Sequence, residues 1–125
     1  MKDYEKIGGL EKVKELVNVF VDRMVNDIMI GFFFSKVDVN RVKEKEFEFL
    51  ANFLGADLEY SGKPIKEAHE NHMIMGGQFS RRKQILKEVL EENKVDLEII
   101  NKIMEHTENF RMAVAKTKNS DCKNR

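Results

Sequence analysis

Apolar side chains return every three or four residues through most of this 125-residue chain, and a single proline, Pro64, interrupts it. That spacing places apolar groups on one face of an α-helix, and a chain so poor in proline can sustain long helices. Over 10–26 Leu10, Val13, Leu16, Val17, Phe20, Met24 and Val25 fall at the spacing of one helical face. Gly8-Gly9 breaks the chain before it and leaves 3–7 as a short leading helix or turn. Residues 28–34, with Phe32-Phe33-Phe34, are expected to form a tight buried corner. Asp38 suits the N-cap of a second helix that runs to about Leu54 and is terminated by Gly55. Residues 56–63 read as loop, and Pro64 opens a short helix ending near His72 and closed by Gly76-Gly77. Two more amphipathic helices follow. One covers about 78–93, with Phe79, Ile85, Leu86, Val89 and Leu90 inward. The other covers about 96–115, capped by Asp96, with Leu97, Ile100, Ile103, Met104, Phe110 and Val114 inward.

No alternation of period two is sustained, so the fold class is all-α. The expected organisation is one domain over 1–115 and a polar tail, KTKNSDCKNR, over 116–125. An even four-helix bundle calls for helices of similar length. Here a short, glycine-flanked helix interrupts the long ones, which suggests a fold built around something other than its own side chains.

Charge and composition exclude several classes of function. Lys plus Arg number 22 and Asp plus Glu number 22, so no net field draws the chain onto nucleic acid or an anionic membrane. No apolar run approaches the roughly 18 residues of a membrane span. The first residues lack the apolar stretch of a signal peptide, so the expected location is cytoplasmic. Cys122 is alone, which rules out a disulfide framework and is compatible with a reducing compartment.

The residues able to carry chemistry are few. The histidines are His69, His72 and His106, and at about 100° per residue His69 and His72 share a helical face with Ile65, Ala68 and Met73. An imidazole on such a face serves as a satisfied core residue or as a ligand, and the residues alone leave both open. His-x-x-His without further ligands is weak as a zinc site. A carboxylate-bridged di-iron bundle needs Glu three residues before His, and those positions hold Lys66, His69 and Ile103. No phosphate-binding glycine loop, nucleophile elbow or covalent haem attachment motif is present. Arg81-Arg82-Lys83 reads as part of a solvated face shared with Glu88, Glu91 and Glu92. One position breaks the pattern. With Val42 at 0°, Glu46 falls near +40°, inside the stripe of Val39, Phe49, Leu50 and Phe53, and Lys45 near −60°, on its edge, at roughly 100° per residue. A carboxylate there must be protonated, paired, beside a polar cavity or turned out to water.

The order of these signals resembles a known family. The runs IGGLEKVKELVNVFVDRMVNDIMIGFFF, RVKEKEFEFLANFLGA and EYSGKPIKEAHENHMIMGGQF resemble the truncated haemoglobins, in particular group I, over roughly 4–114. The specific parts are Gly8-Gly9, the Phe33-Phe34 corner, Tyr60-Ser61-Gly62, and His69 followed by Met73-Ile74 and Phe79. The resemblance implies a globin-like two-over-two helical sandwich around one non-covalent haem b, iron protoporphyrin IX, with His69 as the metal ligand. It further implies that Phe33, Phe34, Val42, Phe49, Leu50, Ile74 and Phe79 line the haem pocket. His72 lies near the haem edge, and Tyr60, Lys43 and Lys66 lie near the propionates. Phe20, Val21, Val42, Lys45 and Glu46 fall in the distal pocket, and His106 is structural or exposed.

The departures matter for function. Val21 stands where oxygen-avid relatives place a tyrosine, and Glu46 where a glutamine is common. Bound dioxygen carries partial negative charge, which a donor stabilises and an ionised carboxylate repels. A protonated Glu46 offers one donor, and a neutral Lys45 amine offers the iron a sixth ligand. The resemblance implies a haem protein for dioxygen, nitric oxide or carbon monoxide, without nucleic-acid or membrane partners, as a monomer or weak dimer. The alternatives are nitric oxide dioxygenation with a reductase, and electron transfer or ligand sensing. A haem-free helical interaction module is the competing class.

Overall fold

A computed structural model describes residues 1–61 and 73–115, and within them every regular element is helical. The elements are α1 (Asp3–Ile7), α2 (Leu10–Val25), a 3₁₀ turn (Gly31–Phe34), α3 (Val39–Phe53), α4 (Gly76–Glu92), α5 (Leu97–Glu108) and α6 (Arg111–Val114). The short helix expected over 64–72 and the tail over 116–125 lie outside the described residues.

Gly8 and Gly9 have φ of 130° and 93°, values that residues with a Cβ rarely adopt, and they separate α1 from α2. The Asp38 carboxylate accepts from the backbone N–H of Asn40 and Arg41 and starts α3; Asp96 accepts from Glu98 and starts α5. α2 is the centre of the packing. It meets α3 on one side and α4 on the other, and α4 in turn meets α5. Two helix pairs thus face each other, the two-over-two arrangement. Val13, Leu16, Val17, Phe20, Val21 and Met24 of α2 are buried with Ala51 of α3, its C-cap Leu54, and Ile85, Val89 and Leu90 of α4.

Three details differ from the periodicity. The 28–34 corner is only partly buried: Ile30 is 3% exposed, but Ile28 and Phe32 are 102% and 59% exposed. A one-turn 3₁₀ segment has too short an inner face to hide a continuous apolar run. Gly76-Gly77 opens α4 instead of closing the preceding piece, with Met75 as the N-cap. The helix expected over 96–115 ends at Glu108 and restarts at Arg111. Leu97, at its first turn, faces water, and Ile99 takes the inward place beside Ile100 and Ile103. Among the described residues no helix is long and apolar enough to cross a membrane.

Candidate functional site: an apolar cavity with a charged pair

The two helix pairs meet along α2 and α4 but leave space beside that contact. Between them lies a cavity of about 400 Å³, bordered by α2, α3, α4, α5, α6 and the 3₁₀ corner. α2 presents Val17, Phe20 and Met24 at helical spacing, and the corner adds Ile30, Phe33 and Phe34. α3 contributes Val42, Lys45, Glu46, Phe49 and Leu50. Ile74, Phe79, Leu86, Ile103 and Val114 add to the apolar lining.

One wall is aromatic. The His106 ring stacks on Phe53, with centroids 3.9 Å apart and planes 16° apart, and meets the edge of Phe110 at 5.1 Å. Phe49 packs beside His106 at 5.4 Å and beside Tyr60 at 6.0 Å. Burial pushes the His106 imidazole below its ordinary value, because the charged form is the one that loses hydration. Tyr60 is pushed upward, first by burial and then by the charges of Glu46 and Glu48. The loop carrying it is pinned to α3 at two points. Asn52 both donates to the Leu58 carbonyl and accepts from the Leu58 N–H, each at 2.8 Å. Glu48 accepts from Ser61 N–H at 2.8 Å and from Ser61 Oγ at 2.9 Å.

The charged residues follow a logic that the sequence did not display. Arg81, Arg82 and Lys83 are not one solvated face; each reaches a different element. Arg81 pairs with Asp27, Arg82 with Glu46, and Lys83 with Glu108, at 2.8, 2.9 and 2.9 Å. The Arg81 hydrogen bond holds the Asp27 carboxyl below the usual carboxylate range. Arg82 Nη2 donates to both Glu46 oxygens, while its guanidinium lies 5.0 Å from the centre of the Phe20 ring. The pair joins α4 to α3 at the cavity lining, so Glu46 is paired rather than turned to water.

Of the residues singled out from sequence, Phe20, Phe33, Phe34, Val42, Lys45, Glu46, Phe49, Leu50, Tyr60, Ile74 and Phe79 come together on this one cavity. Val21 does not: it is fully buried in the helix-packed core, one residue round from the cavity-facing stripe. Lys43 does not either; its Nζ pairs with Asp22 at 2.8 Å, across the α2–α3 contact. Lys66, His69 and His72 lie outside the described residues. Arg82 and His106 are cavity residues that the sequence reading missed. His106 was within reach, since it lies on the same helical face as Ile99, Ile103 and Phe110.

Comparison with known proteins agrees with this architecture. Residues 2–116 match the model of the bacterial-like globin family. The group 1 truncated hemoglobin of Tetrahymena pyriformis is 31% identical over 107 residues, covering 83% of this chain and 88% of that protein. Group 1 truncated hemoglobin GlbN of Synechocystis is 32% identical over 104 residues, covering 80% and 84%. The crystal structure of the Tetrahymena pyriformis truncated hemoglobin in its Fe(III) form superposes with a TM-score of 0.85, at 27% identity, over 93% of this chain and 100% of that one. The chain therefore belongs to the bacterial-like globins, and within them to the group I truncated haemoglobins.

Proposed function

We propose that this chain is a small haem protein that binds dioxygen, nitric oxide or carbon monoxide at an iron held by His69. The observation that carries the reading is the cavity. An aromatic and aliphatic chamber of about 400 Å³ with a few convergent polar groups suits a flat apolar cofactor. A porphyrin brings its own four nitrogens to the metal and asks the protein for one axial ligand; bound, it supplies an iron centre able to take a diatomic ligand. His69 is assigned as that ligand by its match to the family's histidine, and haem b by the lack of an attachment motif. Phe34, Phe49, Leu50, Ile74 and Phe79 would wall the macrocycle and keep water out. Tyr60 would stand at the propionates, with His72 and Lys66 assigned there by resemblance. Lys43 is engaged by Asp22 and does not line the cavity.

Val21 leaves α2 without a hydroxyl, and Lys45 and Glu46 of α3 and Arg82 of α4 supply charged groups to the cavity. The absence of a tyrosine at position 21 disfavours tyrosine-assisted oxygen storage and efficient nitric oxide dioxygenation with a reductase. Lys45 supports a second reading, as an internal sixth ligand suited to electron transfer or sensing. It lines the cavity and has no ion-pair partner among the described residues, whereas Arg41 and Lys43 on the same helix are paired. The reading extends to a globin domain over 1–115 with a polar tail, acting in the cytoplasm as a monomer or weak dimer.

Haemin titration of the purified chain tests the cofactor. Saturation at one haemin per chain is expected, and Leu50→Arg, which places a charge in the apolar wall, should weaken uptake at least about tenfold. Uptake without saturation, or unaffected by Leu50→Arg, contradicts the proposal. For Lys45, the ferric spin state in mildly alkaline buffer should change on Lys45→Ala; an unchanged spin state removes lysine ligation.

A further inference from the structure

We infer that Arg82 is an anion-binding donor of the cavity, so that the iron site favours small anionic ligands of the azide, cyanide or nitrite type over neutral ones. The inference rests on the haem reading above. α3 and α4 both pack on α2, and both border the cavity. Glu46 and Arg82 are charged groups that meet between these two helices, and both line the cavity. The geometry of the pair leaves donors to spare. Glu46 occupies only Nη2 of the guanidinium, taking it with both carboxylate oxygens at 3.0 and 2.9 Å. Nε and Nη1 carry no hydrogen bond among the described residues. The side chain is 28% exposed, so those N–H groups keep access to solvent or to a small ligand.

The Phe20 ring, 5.0 Å from the guanidinium carbon, limits how far the group can swing. Phe20 and Glu46 thus hold a planar, permanently charged fork at an apolar wall, where a charge-assisted hydrogen bond is stronger than in water. Neither a tyrosine at position 21 nor a glutamine at position 46 competes for this role in this chain. Glu46 acts as the opposing term: its carboxylate holds Arg82 in place and repels an incoming anion. The donor is therefore permanent, and the carboxylate sets how strongly it is felt.

The test is spectral titration of the ferric haem-loaded protein with azide and, separately, with imidazole in mildly alkaline buffer. In Arg82→Met the ratio of azide to imidazole affinity should fall about tenfold, the scale of one lost charge-assisted hydrogen bond. Arg82→Lys should restore part of it. Glu46→Gln should raise azide affinity, and Glu46→Gln combined with Arg82→Met should abolish that gain. An unchanged ratio in Arg82→Met, or a gain from Glu46→Gln that survives loss of Arg82, overturns the inference. A protein that takes up no haemin fails the cofactor reading instead, and the two failures are told apart by the Soret band before any azide is added. Haemin stoichiometry measured for each variant identifies one that has lost its fold.

Discussion

Glu108 is held between two cations: Arg111 Nε donates to it at 2.5 Å and Lys83 Nζ at 2.9 Å. These hydrogen bonds, that from Arg111 foremost, hold its carboxyl at about 2 against an ordinary 4.5. A depressed folded value means that the ionised group stabilises the fold fully above pH 4.5, and that this contribution drains away as the pH falls toward 2. Glu108 is 42% exposed, so solvent screening keeps the amount small. Urea midpoints should decline across that window and Glu108→Gln should flatten its share; a variant with the wild-type acid slope refutes the assignment. His106 works in the same direction for a different reason. Burial lowers its folded value below 6.5, so its neutral form stabilises the fold above that pH and the contribution is lost as the pH falls through the folded value. His106→Phe keeps the stack on Phe53 and should remove the loss of stability in mild acid, read from thermal midpoints against pH. Glu46 was legible as an anomaly because its angle on the helix is fixed by sequence. Arg82 was not, because its partner is 36 residues away and no periodicity connects α3 to α4.

At the scale of elements, caps and breaks were the most readable features. Asp38, Asp96 and Gly8-Gly9 act through their immediate neighbours, so their chemistry suffices to place the start of α2, α3 and α5. The 3₁₀ corner was misjudged because apolar content reports what a segment would bury, not whether its geometry allows it. Ile30, Phe33 and Phe34 turn inward while Ile28 and Phe32 are left outside. Gly31 shows what the corner demands. Its N–H donates to the Asp27 carbonyl at 2.8 Å, and a Cβ at this position would stand 2.5 Å from the Val25 carbonyl oxygen. Gly31→Ala should destabilise the fold by about 1–3 kcal/mol, the scale of overpacking, and disturb the cavity wall formed by Phe33 and Phe34. An unfolding midpoint equal to wild type contradicts this. α6 is tied back differently, by Arg111 donating to the Gly76 carbonyl at 3.0 Å and to Ser80 Oγ at 2.9 Å. That long-range tie fixes α6 against the start of α4.

For the whole molecule, the apolar stripes of α2, α3, α4 and α5 serve two purposes at once, and this is where sequence reading reached its limit. Periodicity marks which residues point inward, but it does not separate those that meet another helix from those that border a void. Val21 and Phe20 are neighbours on α2, both buried, and only Phe20 faces the cavity. The resemblance to truncated haemoglobins named both as pocket residues, and only the packing of the helices separates them. A ligand that occupies such a cavity only in the folded state must stabilise it by mass action. Haemin at about 100 times its Kd should add about 2.7 kcal/mol and raise the thermal midpoint. Whether His69 holds the iron is read from the absorption spectrum of His69→Gly loaded with haemin, recorded before and after imidazole is added. The wild-type axial-nitrogen signature should be lost in the variant and return with imidazole. A wild-type spectrum from His69→Gly before imidazole is added would contradict the account.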